Sequence, residues 1–249
     1  MLFDAEVVEA VAGGTPTWLA LIFLLFSYLG SIYVIGPAMV YVYFRGDDRL
    51  TATWPGIVLG GYGLFVILKA LINISRPDVA SPLADVGLPP LVDQLHVLAV
   101  GFETGSFPSG HAIATVVFYG LLILDSDWKT QRLRLFLLFP LILLVGYSRV
   151  TLGVHFVGDI IGGFLIGALY LGGMVYLRQQ YLQPAQVMFR VAFLIAIGAA
   201  IVEPAPDTIG LAVIAGVSVP LQQKLDEFQN TEASRYRRVS RYVRDRLLS

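Results

Sequence analysis

The chain reads as an all-α protein, a polytopic transmembrane helical bundle of about six to seven spans with its catalytic motifs at one membrane face. Three observations carry that reading. Of 249 residues, 56% are apolar and 14% charged, whereas a soluble domain carries about 25% charged residues. Apolar runs close to the ~20 residues that cross a hydrocarbon core recur along the chain. Lysine and arginine are also shared very unevenly between alternate connections.

Each span has its own justification. Residues 18–44 are apolar throughout, with a kink expected at Gly36-Pro37 because an internal proline removes a backbone donor. Residues 54–74 form a second span that contains Lys69. Residues 111–124, 133–147 and 155–177 give three more, the first two short, so that their polar ends extend toward a water-accessible cavity. Residues 187–202 and 208–221, separated by "EPAPD", are either two thin spans or one re-entrant hairpin, and both options leave the C-terminus on the same side. Residues 1–221 then make one membrane-embedded domain with a motif core at 60–175, and 222–249 a basic tail. Glycines 162, 163, 167, 172 and 173 predict close helix packing along the fifth span. Asp4, Glu6 and Glu9, with no basic residue among the first seventeen, are the reverse of a signal peptide, so no cleavage is expected.

Following the chain through these spans puts Lys69, Arg76 and Arg149 on one side. The other fourteen of the seventeen basic residues fall opposite: Arg45, Arg49, Lys129, Arg132, Arg134, Arg178, Arg190, Lys224 and six arginines between Arg235 and Arg246. Positive charge stays cytoplasmic. The expected protein is a multi-pass component of the cytoplasmic or an equivalent membrane, with its C-terminus inside and the three remaining cations facing out.

Those three cations sit in motifs. "KALINISRP" spaces Lys69 and Arg76 by two helical turns, predicting one shared helix face, with Pro77 ending or distorting the span. An ionisable residue within a span is a functional-site candidate, because its desolvation is costly unless it is paired; the plain alternative is a lysine that snorkels to the interface. "PSGH" makes Ser109 a helix N-cap, with Gly110 and His111 in the first turn, and free N–H groups there suit an anion. "SRVTLGVHFVGD" sets His155 four residues before Asp159, so that the two side chains are expected to meet on one helix face, where the carboxylate fixes the imidazole's tautomer and leaves the second nitrogen a nucleophile. Arg149 can fork onto phosphate oxygens. The plain alternative there is a capping His–Asp pair beside an interfacial arginine. Together the motifs suit a phosphoryl group, whose transition state spreads negative charge over its oxygens. A two-metal site would need several carboxylates and histidines at ligand spacing, so no metal and no cofactor are expected. The absence of cysteine excludes disulfides, thiolate metal sites and cysteine nucleophiles.

K-x6-RP, PSGH and SR-x5-H-x3-D, in that order, resemble the three signature motifs of the type 2 phosphatidic acid phosphatase superfamily, over roughly residues 60–175. The resemblance implies a metal-free, two-step hydrolysis of a phosphorylated lipid or isoprenoid. His155 would attack phosphorus and become a phosphohistidine, with Asp159 orienting it. His111 would protonate the leaving oxygen and then activate water. Lys69, Arg76, Ser109, Gly110 and Arg149 would hold the phosphoryl oxygens. One departure stands: membrane members commonly have three spans before PSGH, and two are counted here, with residues 78–104 folding back to substitute in part.

Smaller features have plainer readings beside their functional ones. His96 is either a lid residue or, four times more readily, a packed histidine. Glu103 could tune His111 but reads better as a solvated acid. Tyr236, Val239, Val243 and Leu247 form a stripe among the tail arginines that could lie on an anionic leaflet or simply be solvated. Isoprenoid diphosphates, phosphatidate and phosphatidylglycerol phosphate all fit as substrates, and no nucleic acid does. The competing functions are a phosphotransferase with the same histidine chemistry and a non-enzymatic anion or lipid transporter.

Overall fold

The computed structural model describes residues 2–45, 49–101 and 104–247, with side chains described as far as Phe228. The described residues form ten α-helices and no strand: α1 (Ala5–Gly13), α2 (Thr17–Leu29), α3 (Ile32–Arg45), α4 (Trp54–Ile72), α5 (Pro90–Val100), α6 (Gly110–Asp125), α7 (Gln131–Thr151), α8 (Val157–Gln179), α9 (Pro184–Val202) and α10 (Pro206–Leu247). Five stretches are long and apolar enough to cross a bilayer: Thr51–Ile72, Gln131–Thr151, Val157–Gln179, Pro184–Val202 and Pro206–Phe228. A sixth arises only if α1 and α2 count together, and these are bent by 117°.

Three expectations are corrected by the fold. The run 18–44 is two helices, and it breaks at Gly30-Ser31, leaving Pro37 inside α3. Gly30 presses so closely on α6 and α7 that a Cβ there would stand 2.5 Å from Val145 and 3.1 Å from Thr115. Ser31 closes α2 by donating to the Tyr28 carbonyl and opens α3 by accepting from Val34 and Ile35. Secondly, α4 stops at Ile72, because Asn73 caps it in the left-handed conformation (φ 45°) and donates back to the Lys69 carbonyl. Arg76 therefore lies beyond the helix and shares no helix face with Lys69. Thirdly, Gly172 and Gly173 meet nothing, whereas Gly163 and Gly167 lie against the backbone of α6 at Ser109 and Ile113. Helical geometry explains it, since nine residues place Gly172 about 180° round from Gly163.

The run after residue 183 becomes two helices, each of crossing length, with Ala192 and Ala196 of α9 packed on Leu211 and Ala215 of α10. Thr208 caps the turn between them, its hydroxyl accepting from the Ala205 N–H. Helix α10 continues unbroken past residue 221. Glu103 and the side chains of Tyr236, Val239, Val243 and Leu247 lie outside the described residues.

The core sits between α4, α6, α8 and α9, built on Trp54, Ile57, Ile113, Val117, Leu171 and Met188. Helix α4 approaches α9 closely enough that a Cβ on Gly56 would stand 2.7 Å from the Met188 backbone. Helix α5, at 11 residues too short to cross, folds back onto α2, where the Tyr28 hydroxyl donates to the Leu95 carbonyl at 2.7 Å. This arrangement brings the end of α4, the start of α6, the end of α7 and the start of α8 to one end of the bundle.

Candidate active site

A single cavity of about 1040 Å³ opens at that end, and Lys69, Arg76, Gly110, His111, Arg149 and His155 all line it. Every motif thus contributes to one wall. Ser109 and Asp159 stand just behind it, both fully buried.

His155 lies in the turn before α8, so the pair with Asp159 forms through capping and not along a helix face as expected. Asp159 is the third residue of α8, and its Oδ2 accepts the Phe156 N–H at 2.8 Å. The same oxygen stands 3.1 Å from His155 Nδ1. Its Oδ1 accepts from the Ser106 hydroxyl at 3.3 Å. A carboxylate can only accept, so Nδ1 carries the proton and Nε2 keeps its lone pair. Burial, and then the charges of Arg149, Arg76 and Lys69, push the His155 imidazole well below its ordinary 6.5, which keeps it neutral.

The cations are held by oxygen acceptors that no motif announces. Lys69 Nζ donates to the Gly105 carbonyl. Arg76 spans two loops, with Nε donating to the Thr104 carbonyl and Nη1 to the Val154 carbonyl, both at 2.8 Å. Arg149, in the last turn of α7, donates Nη1 to the Ser27 hydroxyl and Nη2 to the Ala99 carbonyl. Burial draws Arg76 down to about 10, which leaves it charged at neutral pH. Ser27 was missed by sequence reasoning; its only signal is one small polar residue in the apolar run "LLFSYLG". The carbonyls of residues 99, 104, 105 and 154 carry no side-chain signal.

The second motif behaves as a helix start. Ser109 is the N-cap of α6, its Oγ accepting from the Ala112 N–H at 3.4 Å. Its own N–H donates to the Asp159 carbonyl at 3.1 Å, tying the second motif to the third. A Cβ on Gly110 would touch the Phe65 ring at 3.2 Å, so only glycine leaves that ring its place. His111 is half-buried beside Gly30. His96 is buried away from the cavity, its Nε2 2.8 Å from Ser81 Oγ, as a packed histidine. Among the described residues no three of His, Cys, Asp and Glu gather as ligands for a metal ion.

The PAP2 superfamily matches residues 52–183. Phosphatidylglycerophosphatase B of Bacillus subtilis (strain 168) is 31% identical over 177 residues, which is 67% of this chain and 78% of the relative. The crystal structure of the transmembrane PAP2 type phosphatidylglycerolphosphate phosphatase from Bacillus subtilis superimposes with a TM-score of 0.58 at 24% identity, over 71% of this chain and 85% of that one. Aquifex aeolicus LpxE superimposes with a TM-score of 0.52 at 24% identity, over 69% and 93%. A family match that spans every motif, on a fold shared with a crystallised transmembrane member, places the chain in the PAP2 superfamily as a membrane-embedded lipid phosphatase.

Proposed function

We propose that the protein hydrolyses the phosphomonoester or diphosphate of a membrane lipid at the non-cytoplasmic face, without a metal and through a phosphohistidine. The cavity is the observation that carries this. Its lining holds three cations and two histidines beside an apolar stretch that includes Ile35, Met39, Val58 and Val117. Lys69 and Val58 both line it from α4, 11 residues apart, or roughly 16 Å of helix. A phosphate on an alkyl chain matches both halves. The 31% identical relative, named for phosphatidylglycerophosphate, favours a glycerophospholipid phosphate.

In this reading His155 Nε2 attacks phosphorus, forming the P–N bond as the P–O bond to the lipid breaks. His111 gives its proton to the departing alkoxide. Water then attacks the phosphohistidine with His111 taking its proton, and inorganic phosphate leaves. Asp159 holds the proton on Nδ1 and stabilises the charge that develops on the ring. Lys69, Arg76, Arg149 and the start of α6, with Ser109 and Gly110, surround the equatorial oxygens. The catalytic unit is residues 1–221, and the tail from 222 lies on the cytoplasmic side, as the distribution of basic residues requires.

The test is phosphate release from lipid phosphates added to sealed, right-side-out vesicles, with EDTA present and His155→Ala in parallel. Wild type should release phosphate without permeabilisation, and the variant should lose on the order of 10⁴-fold or more. Release only after permeabilisation would overturn the sidedness. Loss of activity in EDTA would overturn the metal-free chemistry, and an active His155→Ala would remove the phosphohistidine.

A further inference from the structure

The first residues of the chain touch the catalytic loops from behind. The Leu2 carbonyl accepts the Gly158 N–H at 2.7 Å. That N–H belongs to the first turn of α8, where no carbonyl within the helix can take it. The Phe3 ring stands 5.9 Å from the Phe156 ring, edge-on, and 6.0 Å from the Phe107 ring. Phe107 immediately precedes Pro108-Ser109-Gly110-His111, and Phe156 follows His155 and donates its N–H to Asp159 Oδ2. The rings sit on glycines: a Cβ at Gly158 would stand 2.6 Å from Phe3, and one at Gly162 would stand 2.4 Å from Phe107. Helix α1 anchors this arm through Val8, wholly buried with Val150, Phe156 and Ile160. The match to the PAP2 superfamily begins only at residue 52.

We infer that residues 2–12 are a positioning element for catalysis, in which Leu2 and Phe3 clamp the loop that leads into α6 and His111 to the start of α8 that orients His155. The arm acts through Phe107, Phe156 and Gly158. Transfer requires His155 Nε2 in line with the breaking P–O bond and His111 within hydrogen-bond reach of the departing oxygen. These two groups come from different elements, the first turn of α6 and the turn before α8, joined directly by the Ser109–Asp159 backbone bond and laterally by the Phe3 ring. An error of about 1 Å in such a pair can cost about 10²-fold in rate. The inference rests on the proposed roles of His155 and His111.

The experiment compares steady-state hydrolysis of phosphatidate in mixed micelles by the full chain carrying Phe3→Ala, Phe3→Leu, Gly158→Ala or Phe3→Ala with Gly158→Ala. Phe3→Ala should lower kcat by about 10-fold or more while KM stays within about twofold, the signature of lost alignment and not of lost binding. Phe3→Leu, which refills the space, should recover most of it. Gly158→Ala forces the ring away and should resemble Phe3→Ala, and the double variant should be no worse than the worse single one. Wild-type kcat in Phe3→Ala, a loss fully explained by the folded fraction, or strictly multiplicative losses in the double variant would each overturn the clamp. If Phe3→Ala cannot be purified, Phe3→Leu against Gly158→Ala decides: equal kcat values near wild type overturn it, and a loss confined to Gly158→Ala supports it. His155→Ala is assayed beside them. If it is active the site reading fails, whereas if it is inactive and Phe3→Ala is normal only the clamp fails.

Discussion

Helices α6 and α8 carry a buried charge cluster at each end, and the two differ in balance. At the far end Arg178 forks onto Asp125 with two contacts of 2.7 Å, while Trp54 Nε1 donates to the same carboxylate at 2.8 Å and Thr53 Oγ1 accepts from Arg178 at 3.3 Å. One cation meets one anion, and neither side chain is more than 4% exposed. At the near end Lys69, Arg76 and Arg149 gather around one buried carboxylate, Asp159, while the other carboxylates of the adjoining cavity, Glu203 and Asp207, come from the turn between α9 and α10 and the start of α10. A matched pair holds helices together. A cluster with surplus positive charge and room beside it is completed by an anion that arrives from outside.

That contrast can be broken at either end. The largest expected effect is at the near end: Lys69→Met should slow turnover by about 10²–10³-fold, the usual worth of one donor to developing oxyanion charge, and should leave thermal stability unchanged. A variant that loses stability instead would make Lys69 a structural ion like Arg178. At the far end the pattern reverses. Asp125→Ala should cost about 3–5 kcal/mol of stability by stranding a buried guanidinium, with activity per folded molecule retained. Asp125→Leu with Arg178→Met should recover most of that stability, as read from denaturation in detergent. A drop in activity per folded molecule would show the two ends to be coupled. The smallest effect is in the pH profile. Protonated His155 has no lone pair for phosphorus, and its pKa is pushed down, so the acid limb of kcat/KM should lie below 6.5. Arg76→Gln removes one of the charges that push it down, so the residual activity's acid limb should move to higher pH. A limb that stays put would assign it to another group.

Much of this site was legible along the chain because its chemistry depends on residue type at short spacing. Asp159 follows His155 closely enough that they meet whether the backbone between them is helical or, as here, a capped turn. Ser109 caps α6 because a hydroxyl before an apolar helix satisfies a free N–H. Arg76 was harder. Its spacing from Lys69 suggested a helix face, but Asn73 ends the helix, and the guanidinium reaches the cavity by bonding to carbonyls at 104 and 154 that any residue could supply. Ser27 was illegible for a related reason, since its partner Arg149 lies 122 residues away. The break at Gly30-Ser31 was hidden because it answers to crowding from Val145 and Thr115, not to the proline seven residues later.

Composition and the order of the motifs were sufficient for the class of the protein, its membrane setting and which motif residues would meet at one cavity. These are local or additive properties: the cost of a charge in lipid, the reach of four residues, the preference of a helix start for a hydroxyl. Folding in three dimensions alone decided what holds each cation, where the first long run breaks, that both of the last apolar runs are full-length helices, and that Leu2 and Phe3 lie behind the histidines. Such contacts join residues far apart in sequence through backbone carbonyls and ring faces, and neither leaves a pattern in a linear string.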